Sequence, residues 1–185
     1  GVTIIRRRDS VPYEGAIEAR VDGLNSRRGA VFSSNYEYPG RYTRWDTAII
    51  DPPRVASAQG RVMRVEGLNQ RGRALLGMVA RAVSGLTNVK VLKRGDDLLR
   101  LEIAEPGRVF TEEERSRVPS VFTVLRAIVS LFKSAEDPNL GLFGAFGYDL
   151  AFQFDPVELK LQRADGQRAL VLFLPDEILV VDHYS

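Results

Sequence analysis

Ser33, Ser34 and Asn35 place two hydroxyls and an amide directly after an apolar run, Ala30-Val31-Phe32. Small hydrogen-bonding side chains at the end of an apolar strand suit a polar small molecule with an apolar body. Such sites pair an apolar lining with a few fixed donors and acceptors. Pro39-Gly40 then punctuates a segment carrying Tyr36, Tyr38, Arg41, Tyr42, Arg44 and the single tryptophan, Trp45. The same residues also compose a hairpin with a decorated turn, and residue types alone leave both readings open.

The rest of the catalytic inventory is thin. There is one histidine, His183, close to the C-terminus, and no second histidine to serve as base in a serine–histidine–acid triad. An exposed or structural role is expected for it. Glu112-Glu113-Glu114 lacks the spacing of an oxygen-ligated metal site, because consecutive helical side chains diverge. It reads instead as a solvated helix start with favourable dipole interactions. Tyr148-Asp149 is a polar pair beside an apolar run, and Asp149 reads as the N-cap of a short helix over 150–154. Gly141, Gly144 and Gly147 recur every third residue but lack the lysine and helix start of a phosphate loop. With no cysteine, disulfides, thiolate metal sites and cysteine nucleophiles are excluded.

The 185 residues bound the chain to one domain, expected to span 1–185, with enough length for a sizeable core. Apolar content of 44% and charged content of 27% are those of a globular protein. The net charge of +2, from 26 basic and 24 acidic side chains, gives no nucleic-acid footprint. Arg6-Arg7-Arg8 and Arg27-Arg28 read as solvated faces. No apolar run is long enough for a membrane span, and a cytoplasmic location is the default expectation.

Periodicity and breakers predict the elements that would position these residues. Strands are expected over 2–5, 29–34, 45–51, 54–58, 61–68, 89–92, 98–103, 142–148, 169–174 and 177–182. Met63 and Val65 mark the buried face of the 61–68 strand. Helices are expected over 12–24, 71–86, 112–117 and from Pro119 to Phe132. The 71–86 helix shows Leu75, Met78, Val79, Ala82, Val83 and Leu86 at three- and four-residue spacing. Thr111 and Glu114 form a capping box for 112–117, and Val121, Phe122, Leu125, Ile128, Val129 and Phe132 form the apolar face of the last helix. Trp45 is assigned to the core. Short gaps between strands predict an α+β fold with a largely antiparallel or mixed sheet packed with helices.

Four segments in order carry a family resemblance. They are Ser33-Ser34-Asn35-Tyr36-Glu37-Tyr38-Pro39-Gly40-Arg41-Tyr42-Thr43-Arg44-Trp45-Asp46; the stretch from Arg108 to Arg115; Gly144-Ala145-Phe146-Gly147-Tyr148-Asp149; and the stretch from Leu174 to Asp182. They resemble the N-terminal region of anthranilate synthase component I, in the form where synthase and glutaminase share one chain. The resemblance implies the N-terminal part of the chorismate-utilising scaffold. It places chorismate, magnesium and the glutaminase in regions absent from this sequence, so this piece would carry no cofactor and no catalytic residue and would be inactive alone. The parent would convert chorismate and glutamine-derived ammonia to anthranilate and pyruvate in tryptophan biosynthesis.

The resemblance also implies that Val31, Phe32, Ser33, Ser34 and Asn35 meet tryptophan as a feedback inhibitor. Ser34 matches the family's serine, whereas Ser33 stands where the family has an acidic residue. That departure leaves the partner of the ligand's ammonium unassigned. Arg41 or Arg44 would face the carboxylate. The implied partners are tryptophan, the remaining synthase and glutaminase regions, and a second copy through uncovered apolar surface at Leu142, Phe143 and Phe146; neither nucleic acid nor membrane is expected. Competing readings are a stand-alone small-molecule-binding domain and the same region of an aminodeoxychorismate or phenazine-pathway synthase.

Overall fold

A computed structural model describes residues 2–33, 44–107, 110–114, 117–155, 157–158 and 160–184. Its strands are β1 (Gly29–Phe32), β2 (Trp45–Ile50), β3 (Arg54–Gln59), β4 (Val62–Gly67), β5 (Val89–Arg94), β6 (Leu98–Ile103), β7 (Phe143–Phe146), β8 (Leu170–Leu174) and β9 (Leu179–Asp182). The helices are α1 (Ala16–Gly23), α2 (Gln70–Ser84) and α3 (Val121–Phe132), with a 3-10 helix over Tyr148–Gln153. Two sheets result: a three-stranded one ordered β1-β2-β9 and a six-stranded one ordered β5-β6-β4-β3-β8-β7. Every described ladder is antiparallel. The expected α+β architecture is therefore borne out.

Alternation decides what enters the core. Leu99, Leu101 and Ile103 of β6, Leu170, Leu172 and Leu174 of β8, and Met63 and Val65 of β4 point inward. They meet Leu76, Val79 and Val83 of α2 and Val121, Val124, Leu125, Ile128 and Phe132 of α3 in one continuous cluster. Helix α1 packs against β2 and β9 of the smaller sheet.

Helix α2 starts where Asn69 accepts a hydrogen bond from the Gly72 N–H at 3.0 Å. Gly72 is there because its backbone presses on the Pro53 carbonyl; a Cβ would overlap that oxygen. Helix α3 starts with the Ser120 N–H donating to the Thr123 hydroxyl at 3.3 Å. Arg61 and Gln153 tie that start to the sheet. Arg61 donates to the carbonyls of Ala104, Pro119 and Gln153 at 3.1, 2.7 and 3.2 Å. Gln153 accepts from the Val121 N–H at 3.1 Å and donates to the Gly60 carbonyl at 2.9 Å.

Several expectations are corrected. Residues 2–5 form no strand: Val2 and Ile4 reach the core without a ladder, and Ile5 is 90% exposed. The first helix begins only at Ala16, because Gly15 sits at φ 73°, outside helical space. Within 112–117, residues 112–114 form a turn, and 115–116 lie outside the described residues. The Thr111 N–H donates to the Glu114 carboxylate at 3.4 Å, one of the two bonds of the expected capping box. The buried face of α2 is rotated toward Leu76 and Ala80, leaving Leu75 and Met78 at its margin. On α3, Val129 is exposed and Val124 takes its place. Trp45 is 49% exposed, not core. Gly147, not Asp149, caps the short helix, and Asp149 pairs instead with Arg163 at 2.8 Å.

Arg54 is the anomaly of the core. It opens β3 at 2% exposure, where its Nε donates to the Gly72 carbonyl at 3.2 Å. Both terminal nitrogens are buried without a hydrogen-bond partner, and the guanidinium carbon lies 5.3 Å from the centre of the Phe132 ring. Burial pushes its pKa down to about 10. Two unsatisfied terminal nitrogens on a buried cation carry a desolvation cost that one hydrogen bond and a ring contact offset only in part. Arg54→Met is expected to raise the urea unfolding midpoint, by about 1–4 kcal/mol in stability. A lower midpoint would show that the guanidinium has a stabilising partner. Gly72→Ala should lower the midpoint, since the methyl group must displace the Pro53 carbonyl.

Candidate functional site

Strand β1 is an edge strand whose position is set by β2, with Ala30 opposite Ile49, Val31 opposite Ala48 and Phe32 opposite Thr47. Gly29 permits this approach, since a Cβ there would overlap the Ile49 carbonyl. Val31 is half-buried, Phe32 is 37% exposed, and Ser33 follows the strand end and is exposed. The Phe32 ring centre lies 6.1 Å from that of Phe143 on β7, a side-chain contact between the two sheets. Ser34, Asn35 and Arg41 lie outside the described residues. Val31, Phe32 and Ser33 thus occupy the end of one edge strand, in the order that the sequence implies.

Arg44 is placed across β2 from that edge. Its Nε and Nη2 donate to the two Asp182 carboxylate oxygens at 3.2 and 3.0 Å, and its guanidinium carbon lies 4.4 Å from the centre of the Trp45 ring. The Asp182 hydrogen bonds raise the arginine's already high pKa. Bidentate pairing and ring stacking fix a guanidinium plane. Asp182 is also the cross-strand neighbour of Trp45.

Beside this pair stands a cluster that sequence reasoning missed. His183 Nε2 lies 2.9 Å from Asp46 Oδ2, and His183 Nδ1 lies 2.7 Å from the Tyr13 hydroxyl. An ionised carboxylate only accepts, so Nε2 carries a proton, and a neutral ring accepts at Nδ1 from the tyrosine. Asp46 is 7% exposed and Tyr13 63% exposed. The His183 N–H donates to the Arg44 carbonyl at 2.9 Å. The arrangement ties the segment before α1 to β2 and to the chain end. A signal for Asp46 was present: alternation puts it on the same side of β2 as buried Ala48. Nothing in the sequence pointed to Tyr13.

The acidic run does not gather into a metal site. Among the described residues, no group of three or more His, Asp or Glu side chains is placed to hold an ion. Hydrogen bonds from its own backbone and from Thr111 hold the Glu113 carboxyl below the usual range. A cleft of about 480 Å³ lies between α2 and the β5–β6 turn, flanked by Arg73 and Arg94. Among the described residues, no helix is long and apolar enough to cross a membrane.

Removing the imidazole leaves a buried carboxylate without that partner, which costs about 1–3 kcal/mol. Removing the Tyr13 hydroxyl deletes one bond at an exposed site, worth about 0.5–1.5 kcal/mol at most. His183→Ala should therefore lower the unfolding midpoint more than Tyr13→Phe. Equal midpoints for the two variants and wild type would show that the cluster does not hold the chain end.

No family model matches the chain. It is 44% identical over 182 residues to anthranilate synthase of Azospirillum brasilense, covering 98% of this chain and 25% of that protein. It is 23% identical over 137 residues to anthranilate synthase component 1 of Buchnera aphidicola subsp. Tetraneura caerulescens, covering 73% of this chain and 26% of the relative. A pyocyanine-specific anthranilate synthase component 1 of Pseudomonas aeruginosa is 27% identical over 150 residues, covering 81% and 28%. The chain spans about a quarter of the length of these curated relatives.

Proposed function

We propose that this chain, which belongs to the anthranilate synthase component I family, is a scaffolding and regulatory region of an enzyme of tryptophan biosynthesis. The parent would convert chorismate and glutamine-derived ammonia to anthranilate and pyruvate with magnesium, in the cytoplasm. The observation that carries this reading is an edge strand that ends at Phe32, directly before Ser33-Ser34-Asn35 in the sequence, in a chain 44% identical across 98% of its length to an anthranilate synthase. Tryptophan would bind as feedback inhibitor against that edge. Val31 and Phe32 adjoin the indole, while Ser33, Ser34 and Asn35 hold the amino-acid head. Arg41 or Arg44 meets the carboxylate. Asp182 already engages Arg44, which favours Arg41 for that role. A phenazine-pathway parent is the second reading. Its support is the 27% identity to the pyocyanine-specific relative.

Two outcomes follow. In the full-length parent, Ser34→Phe fills the space of the ligand and removes one hydrogen bond to a charged head group. That loss is about 1.5–3 kcal/mol, or roughly tenfold to a hundredfold in tryptophan affinity. Uninhibited turnover should persist, and unchanged tryptophan sensitivity in a folded variant would move the regulatory contact elsewhere. The isolated 185-residue chain, given chorismate, ammonia and magnesium, should produce no anthranilate fluorescence. A steady fluorescence increase that survives removal of contaminating enzyme would contradict the scaffolding role.

A further inference from the structure

The two edges of the six-stranded sheet are built differently. Strand β5 carries Lys90, Lys93 and Arg94, and its ladder with β6 is broken by a register shift between Val91 and Lys93. Charge and a bulge are devices that keep an edge from recruiting another strand. Strand β7 has neither. Its sequence is Phe143-Gly144-Ala145-Phe146, without a charge or proline, and its ladder with β8 is regular. Among the described residues β7 pairs only with β8, so its other edge is open.

Aromatic side chains surround that edge. Phe146 is 55% exposed and stacks on Phe122 of α3 with ring centres 5.8 Å apart. Phe122 also meets Phe154 at 5.8 Å, and Phe143 meets Phe32 of the other sheet's edge. Tyr148, directly after the strand, is 84% exposed. A neutral open edge rimmed by exposed rings marks an interaction surface.

We infer that the free edge of β7 is the acceptor for an extended segment from the part of the parent polypeptide outside this region, which lengthens the sheet beyond β7. This rests on the proposed membership of a longer synthase chain. The relatives have about three quarters of their length outside the region matched here, so a parent of similar length would hold such a segment in the same molecule. An intramolecular strand is favoured over a separate partner because its effective concentration is set by the connecting chain. Backbone hydrogen bonds would supply the pairing, and apolar side chains at alternate positions on the α3 side would cover Phe146 and Phe122.

The test uses the full-length parent with benzoylphenylalanine in place of Phe146, an aromatic change that preserves the ring on Phe122. After irradiation and proteolysis, the expected product joins residue 146 to a peptide from outside residues 1–185, within one chain. Moving the label to Leu92 on the charged edge should abolish that product. Crosslinks only to peptides of residues 1–185, only between two copies, or to none at all would overturn the inference. So would an equal yield from Leu92. Anthranilate formation by the unlabelled parent is measured separately. Its absence would reject the functional reading while leaving the crosslink result to judge the edge.

Discussion

A single bent ribbon holds the two sheets together. Strands β2 and β9 pair in the smaller sheet, and β3 and β8 pair in the larger one. The chain passes from β2 to β3 through Asp51-Pro52-Pro53, and from β8 to β9 through residues 175–178. Two antiparallel neighbours therefore change sheets side by side. Prolines at both corners remove donors where the ladder must stop. Asp51 takes a left-handed φ of 48°, and its N–H donates to the Arg28 carbonyl at 2.7 Å. Asp51 also accepts from Arg27 Nε at 2.7 Å. The bend fixes where β2 lies, β2 fixes β1, and β1 carries Val31 and Phe32, two of the residues proposed to meet a ligand.

The same ribbon explains the burial of β3. Its residues from Arg54 to Ala58 are all buried, so both faces are covered rather than one. Small side chains at Ala56, Ser57 and Ala58 suit that crowding, as does Gly72 against Pro53. Arg54 conflicts with it. One buried guanidinium with two unpartnered nitrogens is a local violation in an otherwise consistent core, and such violations point to function or strain.

Period-2 and period-3.6 patterns made most of the larger sheet and both long helices legible. Leu98–Ile103 was read at its observed bounds, because three inward leucine and isoleucine side chains alternate with polar ones. The division into two sheets was not legible, since a proline corner and a loop look alike in sequence. The α2 face was misjudged by one position because apolar residues occur at both 75 and 76, and only packing against β4 and α3 selects Leu76. At the candidate site, Val31, Phe32 and Ser33 were readable as a strand meeting polar residues. The Tyr13–His183–Asp46 cluster was not, because its members are separated by 137 and 170 residues. Arg44 was readable as a cation, but its carboxylate lies across a ladder that no local pattern reveals.

Hydrogen–deuterium exchange on the full-length parent, with and without tryptophan, tests the central claim most directly. A ligand held against the β1 edge orders the backbone it touches. The amides of residues 30–46 should exchange more slowly with tryptophan, and adding chorismate alone should leave them unchanged. Protection confined to regions outside residues 1–185, with none in 30–46, would contradict the account.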